Sequence, residues 1–193
     1  MKAVLISIQP KWCEKIARSE KTIEVRKTVP REFYREHIRG TGDIVADAFK
    51  PFKCYIYETL GKYLGRTTQH EGVGKVIGEF VCDRIDITTK DNIKAISKAS
   101  CVSLPDLWEY GRQSSAYGLY GWHISELKIY DKPKELSEFV RVCDEWKKEE
   151  FTQNCRRCGN HERNDADMCY VCAVEGEFPI TRPPQSWCYV EEV

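Results

Sequence analysis

The sequence has no hydrophobic run long enough to cross a bilayer. Nothing in it approaches the roughly 20 consecutive apolar residues of a spanning helix. It has no excess charge of either sign, since 30 Lys and Arg balance 30 Asp and Glu. That excludes a protein basic all over, but not one whose charge is segregated along the chain. A glycine-rich phosphate loop is also missing: Gly72-Val-Gly74 precedes a strand pattern rather than opening a helix, so no dinucleotide fingerprint is present. There are no internal repeats, no low-complexity tracts and none of the strand–helix alternation of a doubly wound sheet. No Ser-His-Asp or Cys-His set stands in an interpretable context. Met1-Lys2 leads only into the short apolar stretch Ala3–Ile8, with no small-residue cleavage site after it. The expected compartment is therefore the cytoplasm, with no membrane association.

What is present suffices for a core. With 193 residues and 41% hydrophobics, the chain can fold as one domain, or one domain with a small appendage. Its zero net charge is a sum of unlike segments. Residues 1–40 hold ten basic and five acidic side chains, whereas residues 141–193 hold seven and eleven. A basic leading segment can steer a polyanion even when the whole molecule is neutral, and it can equally be a solvated face.

The ten cysteines divide into two groups. Cys13, Cys54, Cys82, Cys101, Cys143 and Cys188 are scattered and read as reduced, mostly buried thiols. Cys155-Arg-Arg-Cys158, with Gly159 next, is separated by ten residues from Cys169-Tyr-Val-Cys172. Each CxxC turn aims two thiolates at one ion, and two such turns make the four-sulfur tetrahedral set of structural zinc. The segment between them is too polar to have its own core, so metal would supply its folding energy. With all four positions filled by Cys155, Cys158, Cys169 and Cys172, no position is left open for catalysis.

Along the chain, Ala3–Ile8 reads as a strand. Pro10 suits the first turn of a helix over Lys11–Ser19, with Trp12 and Ile16 stacked on one face. Lys21–Thr28 alternates, so Ile23 and Val25 face one way and Thr22, Glu24 and Arg26 the other; this predicts a half-buried strand with a polar display face. Gly40–Asp43 reads as a turn, and Ile44–Phe49, Lys53–Glu58 and Lys75–Cys82 as strands. Gly61–Gly74, with four glycines, reads as a long loop. Helices are expected over Thr89–Ala99, from a Ser103 cap through Trp108, and over Ser137–Lys148, where Phe139, Val140, Cys143 and Trp146 form a stripe. Trp122–Ile129 reads as a strand ended by Pro133, and Trp187, Tyr189 and Val190 as part of a final strand. The pattern favours an α+β fold built on a small, mostly antiparallel β-barrel with helical inserts.

The stretch Pro10-Lys-Trp12, Ile16 and Glu20-Lys-Thr-Ile-Glu-Val-Arg26 resembles the ASCH family, relatives of the PUA domains. Lys21, Glu24 and Arg26 match its K-x-x-E-x-R-like strand, while Ser19 stands where a Gly is usual. Gly74–Phe80 and Tyr120–Ile124 resemble its middle and late strands. The Pro184-Gln-Ser-Trp187 ending resembles phage-type members. The resemblance covers residues 1–135 and implies a PUA-like barrel there. Residues 136–193 then form a helix, the zinc knuckle and a strand packing back on the barrel. It also implies a cleft lined by the Lys/Glu/Arg strand, and RNA as the ligand. Some small relatives are amidohydrolases acting on N4-acetylcytidine and others are ribonucleases. The amidohydrolase pattern K-T-x-T-x-R has its second Thr replaced here by Glu24, which argues against the same nucleophile.

The residue types suit a nucleotide pocket. Arg26 can clamp a phosphate or a base edge, Glu24 can accept from an exocyclic amine or act as a base, and Lys21 beside a carboxylate can serve as acid or base. Thr22, Lys11, Arg66 and His70 are candidate ligand contacts. Tyr55, with Tyr57, Tyr117, Tyr120 and Trp122, offers rings on which a base can stack. The opposing reading is an intra-strand ion pair among structural aromatics. His123 reads as packed or hydrogen-bonded, and Glu79 as a second carboxylate of low weight. Three functions stay open: an RNA or nucleotide-binding module using the cleft, an enzyme acting on a modified nucleoside or RNA through Lys21 and Glu24, and a module that contacts a protein through its C-terminal region.

Overall fold

The structure, a computed structural model, describes residues 1–38, 44–60, 73–112, 118–142 and 177–193. The expected Gly40–Asp43 turn, Tyr117, Arg66, His70 and most of their loop, residues 143–148 and the four clustered cysteines lie outside the described residues. In chain order the elements are β1 (Lys2–Ile8), α1 (Pro10–Ala17), β2 (Ile23–Arg26), β3 (Tyr34–Ile38), β4 (Ile44–Phe49), β5 (Phe52–Glu58), β6 (Val76–Cys82) and β7 (Ile85–Ile87). They continue with α2 (Ile93–Ser100), α3 (Leu104–Arg112), β8 (Tyr120–His123), β9 (Ser125–Lys134), β10 (Val140–Val142), β11 (Glu177–Pro179) and β12 (Trp187–Glu191).

β1 is the middle of a seven-stranded sheet ordered β11-β10-β12-β1-β5-β6-β9. Its apolar run is buried on both faces, as a central strand requires. Val4, Ile6 and Ile8 pack on one side with Cys54, Ile56 and Phe80. Ala3 and Leu5 pack on the other with Tyr55, Tyr57 and Phe139. β1 pairs parallel with β5 and antiparallel with β12. A parallel pair needs a long crossover, and α1, β2, β3 and β4 occupy it. β2-β8-β7 form a second sheet and β3-β4 a third. The first core side chains meet around Trp122, which is fully buried and lies edge-on to Phe52 at 5.6 Å. Burying a large side chain this way contributes about 1.5–3 kcal/mol.

The α+β class stands, but the barrel does not. The sheets are not closed: β11 and β9 are the two outer strands of the seven-stranded sheet, and β2 and β7 are those of the three-stranded one. The physical reason is where the C-terminal strands go. β12 inserts beside β1 and continues the sheet into β10 and β11, so it extends an edge rather than bridging one.

Three further expectations are corrected. The Ser137–Lys148 helix is not formed over its described part, where a 3-10 turn at Leu136–Glu138 leads into β10. Strand pairing of Arg141 with Val190, and burial of the Phe139 ring against Tyr55 at 4.9 Å, override the helical stripe. The Trp122–Ile129 strand is two strands in different sheets, and Glu126 carries a positive φ of 47° just after the crossing. Pro133 does not end β9, which runs to Lys134, because an outer strand has no partner on one side to need its N–H.

β9 runs close against β6 at Gly78, where an added Cβ would lie 2.5 Å from the Lys128 carbonyl oxygen. Backbone cannot yield as a side chain does. Gly78→Ala is therefore expected to separate β9 from β6 and cost about 1–3 kcal/mol, read as a lower midpoint in urea denaturation.

Candidate functional site

The polar side chains of β2 are where sequence and structure meet. α1 begins at Pro10 and stops after Ala17, and Ser19, at φ 58°, reverses the chain. The N–H of Lys21 then donates to the Lys15 carbonyl at 3.1 Å, and that of Thr22 to the Ala99 carbonyl at 2.9 Å. β2 thus starts pinned between the end of α1 and the end of α2. Its alternation is as expected, but its polar face is not displayed to solvent. Glu24 and Arg26 are each 7% exposed and Lys21 only 2%. This corrects the half-buried strand: one face packs on Ile96 and Leu107, and the other closes on an ion cluster.

Glu24 is the centre of that cluster. One carboxylate oxygen lies 3.2 Å from the Lys21 ammonium and the other 2.9 Å from an Arg26 terminal nitrogen. Most of the remaining donors reach other parts of the chain. Lys21 Nζ donates to the Ser100 carbonyl at 2.8 Å, at the C-terminal, partly negative end of α2. Arg26 Nη2 donates to the Ser7 carbonyl at 2.7 Å, and Nη1 to the Ser186 hydroxyl at 3.2 Å. Arg26 Nε is buried without a partner among the described residues. Two cations against one carboxylate leave the cluster one charge positive.

Lys21, Glu24 and Arg26 line one cavity of about 840 Å³, within the size range of small-molecule sites. Its walls come from the β1–α1 junction, β2, the α2–α3 connection with α3, and the segment before β12. Trp12 lies in the wall, with the Lys11 ammonium 4.6 Å and the Lys21 ammonium 5.3 Å from its ring centroid. Tyr110 faces the cavity from α3, its ring 4.5 Å from the Lys27 ammonium. Burial raises the Tyr110 phenol above its ordinary range, so it stays protonated at neutral pH. Cys13 lies behind the wall, and burial followed by the nearby Glu58 and Glu24 charges pushes its thiol well up, so it is a packed thiol and not a nucleophile.

The other expected residues divide clearly. Lys11 is exposed and lines the cavity. Thr22 is exposed and is not among the lining residues. Tyr55 is on the opposite face of the large sheet, buried against Phe139, with its hydroxyl donating to the Val193 carbonyl at 3.0 Å. Tyr57, Tyr120 and Trp122 are core residues. His123 is hydrogen-bonded as read, with Asp86 at 2.7 Å and Arg84 at 2.9 Å. Glu79 accepts from the Tyr130 hydroxyl and takes no part in the cavity. Ser103 caps α3, its hydroxyl accepting from the Asp106 N–H at 3.3 Å. Sequence reasoning missed Gln9, Tyr110 and Gln185. Trp12 was legible only as a helix-packing residue, because its i,i+4 spacing to Ile16 is also what a core face shows.

No family model matches the sequence, and no curated protein is significantly similar to it. Solved structures do share its architecture. That of ASCH from Zymomonas mobilis is 13% identical with a TM-score of 0.51, covering 98% of this chain and 88% of that one. A serine-to-alanine variant of ASCH from the same organism is 12% identical with a TM-score of 0.53, covering 98% and 89%. At these identities the likeness is one of fold, and it agrees with the resemblance carried by Lys21–Arg26: the chain shares its fold with these ASCH structures.

Proposed function

We propose that the cavity binds RNA or a nucleotide. The observation that carries this reading is the convergence of Lys21, Glu24 and Arg26 on one open cavity that also has Trp12 and Tyr110 in its walls. The mixture matters. Cations alone would suit any anion, and rings alone any flat apolar molecule. Positive charge beside aromatic surface suits a phosphate carrying a base. The ten basic residues among the first 40 supply attraction at longer range. Lys11 is the cation to test, because it is exposed and its removal leaves the buried cluster whole. Lys11→Ala is expected to weaken binding of single-stranded RNA similarly for all sequences, and to reduce the slope of log affinity against log salt by about one. Fluorescence anisotropy titrations at several salt concentrations read both; affinity indifferent to salt in the wild type would refute the reading.

A second reading follows from the 3.2 Å contact between Lys21 and Glu24 inside the cavity. In an enzyme acting on a modified nucleoside or an RNA phosphodiester, Glu24 would be the general base. Lys21, held in place by the Glu24 carboxylate and the Ser100 carbonyl, would supply positive charge at a fixed position. Removing Glu24 also leaves two buried cations unopposed. Glu24→Ala is expected to lose about 3–5 kcal/mol of stability in urea denaturation. The closer-shaped Glu24→Gln, checked to be folded, is the variant for turnover assays, and unchanged turnover would remove Glu24 from the chemistry.

We also propose that Cys155, Cys158, Cys169 and Cys172 hold one structural zinc. Support comes from the spacing of the two CxxC pairs and the polar segment between them. Elemental analysis of the purified chain is expected to give about one zinc per molecule. Chelation is expected to make residues 155–172 susceptible to proteolysis while the remainder of the chain stays protected; a chain purified without metal whose residues 155–172 resist proteolysis would refute it.

A further inference from the structure

Two glutamines, Gln9 and Gln185, are among the residues that line the cavity. Both residues are exposed, and neither side chain has a hydrogen-bond partner among the described residues. Their backbones are nevertheless held. Gln9 precedes α1 in an extended conformation, and its carbonyl accepts from the N–H groups of Trp12 and Cys13 at 2.9 and 3.0 Å. Gln9 occupies the N-cap position, where Ser, Thr, Asp or Asn is preferred, and its side chain makes no capping bond. Gln185 is gripped on both sides by one residue of β1. Ser7 donates its hydroxyl to the Pro184 carbonyl at 2.7 Å and its N–H to the Ser186 carbonyl at 2.9 Å. Pro184 is buried. Gln185 therefore stands opposite Ser7, and Gln9 lies two residues further along the same chain.

The chemistry of these groups differs from that of the cluster beneath them. A phosphate presents only acceptors, and the lysines and Arg26 already answer it. A carboxamide presents a donor and an acceptor side by side, which is the complement of a base edge. Two such groups, on fixed backbone and free side chains, face the same space as the rings of Trp12 and Tyr110. We infer that Gln9 and Gln185 read the edge of a nucleobase and set the base preference of the site. This rests on the reading of the cavity as an RNA or nucleotide site, and it deepens that reading by dividing the labour: cations hold the phosphate, rings hold the base plane, and the two carboxamides identify the base.

The test compares the full-length wild type, the Gln9→Ala/Gln185→Ala double variant and Gln185→Glu in binding to short homopolymers of A, C and U at one salt concentration. The wild type is expected to prefer one homopolymer by about tenfold, the worth of one good bidentate contact. The double variant, whose changes lie at exposed side chains, is expected to keep the wild-type melting temperature and salt slope while its three affinities fall within about twofold of one another. Gln185→Glu, which can only accept, is expected to move the preference toward bases with an exocyclic amine. A preference that survives in the double variant, or a wild type that binds all three equally, overturns the inference and leaves the RNA reading standing. A wild type that binds none of the three overturns both.

Discussion

The structure turns on one carboxylate. Glu24 sits between Lys21 and Arg26 in a place from which water is almost excluded. Moving three charges out of water costs several kcal/mol each, and their mutual attraction offsets more of this when the remaining donors find acceptors. Here all of those donors except Arg26 Nε land on three other parts of the chain: the end of α2, the middle of the large sheet at Ser7, and Ser186 before the last strand. One ion cluster therefore ties the small sheet to the large one and to the C-terminal segment. A cluster with this many partners can exist only once all of them have arrived, so the site and the fold form together.

That dependence explains why the chain returns to its beginning. β12 lies against β1, and the residues before it cross the cavity rim where Ser7 holds Pro184 and Ser186. Residues nearly 180 positions apart thus share one wall of one pocket. The same insertion extends the large sheet through β10 and β11, leaving it open. The pocket lies among the β1–α1 junction, β2, α3 and the C-terminal segment rather than inside a closed barrel. Its charge is thereby set by side chains whose positions are fixed from several directions, which is the condition for preorganised recognition.

Much of this was legible. The Ala3–Ile8 run read as a strand, and its continuous apolar character, which leaves no face for solvent, fits the central place the structure gives it. Lys21–Arg26 gave both the strand and its two faces, since side chains alternate whatever their surroundings. What alternation does not say is which face is wet. A polar face ordinarily meets water, and this one instead meets its own counterions and backbone carbonyls. Phe139 shows the converse case. Its stripe fits a helix, but a ring seated on Tyr55 and a backbone paired to β12 outweigh a propensity difference of tenths of a kcal/mol per residue. Tyr55 was readable as an aromatic in a strand, while its face relative to the pocket depends on how that strand packs. Gln9 and Gln185 carry no local signal, for a glutamine in a loop looks the same whether its surroundings are solvent or a cavity.

The sequence by itself determined the strand and helix types of most described elements, the α+β class and the motif at Lys21–Arg26. These follow from periodicity and residue chemistry, which act over a few positions. Tertiary structure alone decided that the sheets stay open, that the ion cluster is buried, and that Trp12, Tyr110 and Gln185 share a pocket with it. Those outcomes depend on contacts between segments far apart in the chain. No short window contains the Ser7, Ser100 and Ser186 oxygens that together hold Lys21 and Arg26 in place.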